Sequence, residues 1–299
     1  MTSAPYIFDI DLRRQRRARA FRRRSRLGGP AFFTQRCAQD IAERLCDISR
    51  RFENALIIAP SPFWDEVLKT LPDDKIPAAI TRCYDGIITP QKGSGSFQAA
   101  DTALPFEARS FDLVISVLSL HSINDLPGGL MNISHILKPD GLMLASLFGG
   151  HTLTQLRRSF YTVESRHSGG MTPRINPMID FSQAASLLQR AGFALPVVDV
   201  DSMTLSYETL GKLLADLRDQ GESNGLTSRA PGALPATFYA DLETTLKSDY
   251  PAANTRFEMT FEILWLTGWS PHKSQQKPLK PGSAQISLAK ALGTREIKA

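Results

Sequence analysis

Apolar residues crowd into short, near-continuous runs at 55–59, 111–118 and 142–148. Runs of that length and composition are expected of parallel strands buried on both faces. Between the last two, Leu126, Leu130, Ile133, Ile136 and Leu137 recur at helical spacing, and Lys138-Pro139-Asp140-Gly141 stops that helix with a turn. Strand, helix and strand then make a right-handed crossover between parallel neighbours. Polar residues gather where the 111–118 run ends: Ser119, His121, Ser122, Asn124 and Asp125. Ligands of such sheets bind beyond the carboxyl ends of the strands, so a site is expected there.

The rest of the chain extends this α/β pattern. Cys37, Ile41, Leu45 and Ile48 predict an amphipathic helix over 32–52 that packs on the sheet or covers a cleft. Further helices are predicted at 63–71, 153–164, 181–191, 209–219 and 234–247, and strands at 55–59, 78–81 and 194–200, with a third of the sheet at 86–89 or 96–100. Residues 92–96 read as a flexible Gly/Ser loop. Phe257, Met259, Phe261, Ile263 and Trp265 alternate, before the last turn, with polar residues, which predicts a half-buried strand at the antiparallel edge of the sheet. Residues 202–255 would then be a helical insertion roofing the site. The organisation expected is a basic arm and helix over 1–52, a three-layer α/β domain over 53–270, and an extended tail over 271–299.

Charge changes this picture at one end only. Residues 1–26 carry 9 Arg and 2 Asp, +7, whereas the whole chain of 35 basic and 30 acidic residues carries +5, leaving −2 for the remainder. An Arg-rich run is a solvated helix or arm, a docking surface for an acidic protein, or a nucleic-acid contact; no aromatic-interleaved or zinc-finger pattern supports the last. No apolar run approaches the ~18 residues that span a bilayer, and no apolar segment follows the first charges as in a signal peptide. Cys37, Cys46 and Cys83 are unpatterned, which points to a reducing, cytoplasmic setting and not to a metal cluster.

The 111–150 block, FDLVISVLSLHSINDLPGGLMNISHILKPDGLMLASLFGG, resembles class I S-adenosylmethionine (SAM) methyltransferases. Three further segments sharpen the resemblance: Phe148-Gly149-Gly150-His151-Thr152-Leu153, Gly221-Glu222-Ser223-Asn224, and Gly268-Trp269-Ser270-Pro271-His272 with Pro278 and Gly282-Ser283. Together they are similar to the methyltransferase-like assembly factors of respiratory complex I, described as protein arginine hydroxylases. The resemblance implies a Rossmann-like sheet, SAM as cofactor, a protein arginine as substrate and a complex I subunit as partner of the Arg-rich arm. For a eukaryotic chain it implies the mitochondrial matrix, peripheral to the inner membrane. By the same resemblance, Ala59 and Ser61 stand where the family has glycines of the cofactor loop, Ile57 where it has an acid, and Phe63 where it has no bulk. Around Arg82, the ribose position, no carboxylate stands; Asp101 and Thr102 match the adenine side. A lost charged hydrogen bond costs roughly 1.5–3 kcal/mol and an overlapping side chain roughly 1–3 kcal/mol. Together these lower affinity by about two to four decades, so weak or absent SAM binding is expected.

For chemistry the candidates are His121, at the strand end, and Glu222 with Asn224, in the turn that resembles the family's substrate side. Each has a purely structural alternative: a buried hydrogen bond for His121, a polar capped loop for the other two. Trp265 and Trp269 read as packing, and Glu164 and Arg166 as helical surface charge. Three functions stay open: an arginine-modifying enzyme, a non-catalytic assembly or scaffold protein on the same fold, and a small-molecule or carrier-protein carboxyl methyltransferase.

Overall fold

The computed structural model describes residues 6–60, 68, 70–84, 96–97, 104–167, 170–276 and 293. Most of the expected helix at 63–71, the strand at 86–89, residues 92–95 of the loop, Ser61, Phe63, Asp101, Thr102 and most of the tail lie outside these residues.

In chain order the elements are α1 (Ile10–Leu27), α2 (Phe32–Asp47), β1 (Asn54–Ala59), β2 (Ala79–Tyr84), β3 (Ser96–Phe97) and β4 (Phe111–Val117). A single 3-10 turn, Leu120–Ser122, leads to α3 (Leu126–Ile136), β5 (Leu137–Phe148), α4 (Thr154–His167), α5 (Phe181–Arg190) and β6 (Ala194–Tyr207). The chain closes with α6 (Leu210–Gln220), α7 (Ala236–Asp249), β7 (Pro251–Ala252) and β8 (Arg256–Trp269). They build a mixed sheet in the order β3-β2-β1-β4-β5-β8-β6, with β7 paired to β8. β1 to β5 run parallel and β8 is antiparallel to both of its long neighbours. This is the α/β, Rossmann-like class I methyltransferase arrangement.

The uninterrupted apolar runs have the reason expected of them. Ile57, Ile115 and Leu144 align across β1, β4 and β5 and join one core with α2, α4, α6 and α7. Leu56, Val114 and Met143 align one residue earlier and join a second core with α3 and α5 on the other face. Full burial of each such side chain stabilises the fold by about 1.5–3 kcal/mol, so a register slip would exchange two filled cores for two misfits.

Three expectations are corrected. The 257–265 strand is not the edge, because β8 lies between β5 and β6. The β5 ladder reaches only to Ile263, opposite Phe148, whereas β6 pairs β8 back to Phe257. The alternation at 257–262 therefore marks the stretch beyond the end of β5, and 263–269 is covered from both sides. The edge is β6, half-exposed along its length, where Asp199 and Asp201 pair with Arg44 and Arg36 of α2 at 2.8 Å each. Because β6 runs to Tyr207, the helical excursion starts near 208, not at 202. Finally, the basic segment is not a solvated arm. It is helix α1, capped by Asp9 and ended by Gly28 at φ +83°, and it buries Arg13 and Arg17 to 6% and 2% exposure.

Candidate functional site

Leu118, the residue after β4, is fully buried with φ +43°. A non-glycine residue in that region costs of order 1–3 kcal/mol and is found where function or tight packing demands it. The turn it starts, Leu120–Ser122, puts His121 and Ser122 under the carboxyl end of the sheet, 5% and 2% exposed. The His121 ring meets Phe148 at the end of β5 edge-to-face, centroids 5.1 Å apart.

Glu222 arrives from the opposite side. Helix α6 ends at Gly221, φ +82°, and the Glu222 N–H donates to Leu217 O at 2.8 Å, a Schellman-type stop that fixes the next side chain. Glycine is needed twice over here: a Cβ would be strained at that φ and would stand 3.0 Å from Arg17 Cγ. Glu222 Oε1 then lies 3.0 Å from His121 Nε2 and 3.5 Å from Arg17 Nη2.

Helix α1 closes the cluster from above. Arg17 Nη2 donates to Leu118 O at 3.2 Å and to Ser122 Oγ at 3.0 Å. One turn earlier, Arg13 Nη1 donates to Ser122 O and to Ser122 Oγ, the latter at 3.4 Å. Arg16 bonds Asn224 O. The helix start is stitched to both loops: Phe8 and Asn124 exchange hydrogen bonds of 2.8 and 3.0 Å, and Asp9 N donates to Gly225 O at 2.8 Å.

The electrostatics follow from this packing. Burial opposes ionisation of Glu222, but His121, Arg17 and Arg13 more than offset it and hold the carboxyl down at about 2. One carboxylate thus faces two guanidinium groups, and the carbonyls of Leu118 and Ser122 supply the remaining acceptors. The cluster is built to hold guanidinium. His121 Nδ1 has no hydrogen-bond partner among the described residues, an uncommon state for a buried ring nitrogen.

Beside the cluster opens a cleft of about 530 Å³, floored by Phe148, Leu156, Phe160 and Phe261, with Glu222 in its wall. Its far wall is the 172–176 loop, anchored by Glu164, which accepts from Arg174 Nη2 at 2.7 Å and Thr172 N at 2.9 Å. Glu164 is 3% exposed, so the surface-charge reading of this residue is corrected: the acid faces a loop that covers its helix.

The structure brings His121 and Glu222 into contact. Asn224 sits at the same cleft, but its side chain braces loops, donating to Pro173 O at 3.0 Å and accepting from Leu226 N at 3.1 Å. Ala59 is the fully buried last residue of β1. Arg82 lies within β2, its Nη1 on Ile80 O at 3.3 Å. Because β2 extends to Tyr84, the position after the strand is Asp85, a carboxylate that a search around 81–83 passes over; it lies outside the described residues. Trp265 and Trp269 pack as expected, Trp265 under the Arg44 guanidinium at 4.9 Å. Arg13 and Arg17 were the members missed; Ser122 belongs to the polar cluster expected after β4. The signal was present: Arg13, Arg17 and Ala20 recur at four and three, so one face of the basic helix carries two arginines beside a small residue.

Among known proteins, residues 84–145 match the methyltransferase domain family. The chain is 39% identical over 188 residues to the arginine-hydroxylase NDUFAF5, mitochondrial, of Dictyostelium discoideum, covering 63% of this chain and 43% of that one. It is 34% identical over 298 residues to the Homo sapiens protein of the same name, covering 94% and 82%. The chain thus spans under half the length of the Dictyostelium relative. In fold it is similar to a candidate methyltransferase from Bacillus halodurans, with a TM-score of 0.50 and 13% identity, covering 77% of this chain and 99% of that one. Arg13, Arg17 and Glu222 all fall outside the methyltransferase-domain match.

Proposed function

For a chain that belongs to the mitochondrial arginine-hydroxylase family, we propose that the pocket of Leu118, Ser122, His121 and Glu222 receives an arginine side chain of a protein partner for modification. One observation carries this reading: the pocket already holds a guanidinium, that of Arg17, through a carboxylate, a carbonyl and a hydroxyl. An arginine from another protein meets the same acceptors once Arg17 withdraws. Glu222 binds it by charge, Leu118 and Ser122 fix its plane, and His121 holds the carboxylate from behind. Burial keeps water from competing for these bonds. Helix α1 buries little apolar surface, only Ala18 and Ala20 beside the two arginines, so the cost of its withdrawal is mainly the broken ion cluster, which an incoming guanidinium restores.

At the end of β4, where a methyltransferase domain would hold SAM, the acceptors Leu118 O and Ser122 Oγ are taken by Arg17, which supports weak SAM binding. Arg17 seated on those acceptors also favours a second reading, in which the chain grips a partner's arginine as an assembly factor without changing it.

By the resemblance in the sequence, the partner is a respiratory complex I subunit, met in the mitochondrial matrix or its bacterial counterpart. Among the described residues no helix is long and apolar enough to cross a membrane. Mass spectrometry of complex I subunits from cells lacking this protein tests the proposal. One arginine should lose a modification, restored by the wild-type protein and not by Glu222→Gln. Unchanged arginine masses in every subunit would refute modification and leave the gripping role.

A further inference from the structure

The nine arginines of α1 divide by face. Arg13 and Arg17 point into the guanidinium pocket, whereas Arg19, Arg22 and Arg26 recur at spacings of three and four on another side. Arg19 and Arg26 make no ion pair among the described residues, and Arg22 bonds only Ala18 O of its own helix. Like charges at this spacing destabilise a helix, so the fold tolerates a cost it could avoid. The same charge continues around the cleft. Its lining includes six arginines (16, 19, 23, 174, 218 and 229) and a single carboxylate, Glu222, itself engaged by His121 and Arg17. Arg23, Arg174 and Arg229 are balanced by Asp219, Glu164 and Asp9; Arg218, like Arg19, has no such partner among the described residues. Burial, and then Arg229 beside it, lowers the proton affinity of Arg16, as expected where cations crowd.

Below this rim the floor is aromatic and aliphatic. The cleft is within the size range of ordinary ligand sites, yet the basic surface runs on past it along α1, through Arg22, Arg23 and Arg26 beside Leu27. A small anion would need one or two of these arginines. An extended chain uses them all.

We propose that the cleft and the outer face of α1 dock an acidic protein segment, its carboxylates on Arg19, Arg22, Arg26 and Arg218 and an apolar side chain on the Phe148–Phe160 floor. This rests on the arginine reading above and names its partner's chemistry: the target arginine is flanked by acidic and apolar residues. Such flanks also remove an obstacle, because a lone arginine approaching this rim meets only like charge.

The test uses the full chain and a fluorescein-labelled peptide of glutamates interspersed with phenylalanines, without arginine, followed by anisotropy. Binding should weaken with salt, and the exposed triple variant Arg19→Glu, Arg22→Glu, Arg26→Glu should weaken it by at least about tenfold. Replacing the phenylalanines by serine should weaken binding as well. Equal affinity for the triple variant, or tighter binding of a single-stranded RNA of matched charge, would overturn the proposal. Peptide binding with no arginine modified in cells would keep the docking surface and remove the enzymatic reading; modification that survives the triple variant unchanged would do the reverse.

Discussion

Replacing Glu222 by Gln removes one charge from the buried cluster and leaves its shape. The size of the effect follows from the carboxyl's position, about 2 in the fold against an ordinary 4.5. At 1.36 kcal/mol per pKa unit, that displacement corresponds to about 3 kcal/mol of stability carried by the ionised form. Breaking a buried pair by removing one partner costs roughly 3–5 kcal/mol, which agrees. Against a total of about 5–15 kcal/mol for a folded domain, the loss is large. The sign is that of a depressed carboxyl. Its contribution is complete above the unfolded value near 4.5 and disappears as pH falls toward 2. Urea unfolding followed by tryptophan fluorescence should therefore show wild type more stable than Glu222→Gln by about 3 kcal/mol at pH 7. The gap should narrow below about pH 4.5. Arg17→Met should cost a comparable amount, and the double variant less than the sum of the two. A gap under about 1 kcal/mol at neutral pH, one that acid does not narrow, or strict additivity would refute the ion cluster as described.

Other consequences are local. Glu164→Gln leaves the half-buried Arg174 against a neutral partner and should cost about 1–3 kcal/mol, with faster hydrogen exchange in the 172–176 loop than in β4. Gly268→Ala would place a Cβ 2.8 Å from the Phe193 ring and should cost about 1–3 kcal/mol by overpacking, read as a lowered urea midpoint with unchanged slope. Burial pushes the Cys37 thiol up to about 12, and Cys83 is also buried while Cys46 is exposed. Iodoacetamide at pH 8 should then label native protein at Cys46 alone, as mapped by peptide mass spectrometry; rapid labelling of Cys37 would contradict the packing of α2 on the sheet.

The parallel half of the sheet was legible because burial on both faces leaves an unmistakable apolar run, and 111–118 and 142–148 are such runs. The place of β8 was not legible. Its alternation reports exposure only where β5 has ended, and sequence carries no record of which strands stop first. His121 and Glu222 were found separately, one from its strand end and one from a turn; that they touch depends on a Schellman stop and a crossover more than a hundred residues apart. Helix α1 was the least legible element. An arginine-rich segment ordinarily turns its charges to water, and only the acceptors at Leu118, Ser122 and Glu222 make burial of Arg13 and Arg17 affordable. Glu164 misled for the same reason, since its partners lie on a loop with no helical periodicity.

The claim on which the account depends is that these acceptors form a receptor for guanidinium and not merely a seat for one helix. The most direct measurement is chemical rescue of Arg17→Ala, comparing millimolar ethylguanidinium with ethylammonium at equal ionic strength by thermal melting. A ligand that binds only the folded form raises the melting temperature, so ethylguanidinium should raise that of Arg17→Ala, and neither that of wild type nor that of Arg17→Ala combined with Glu222→Gln. Equal shifts from the two salts, or no shift from either, would contradict it.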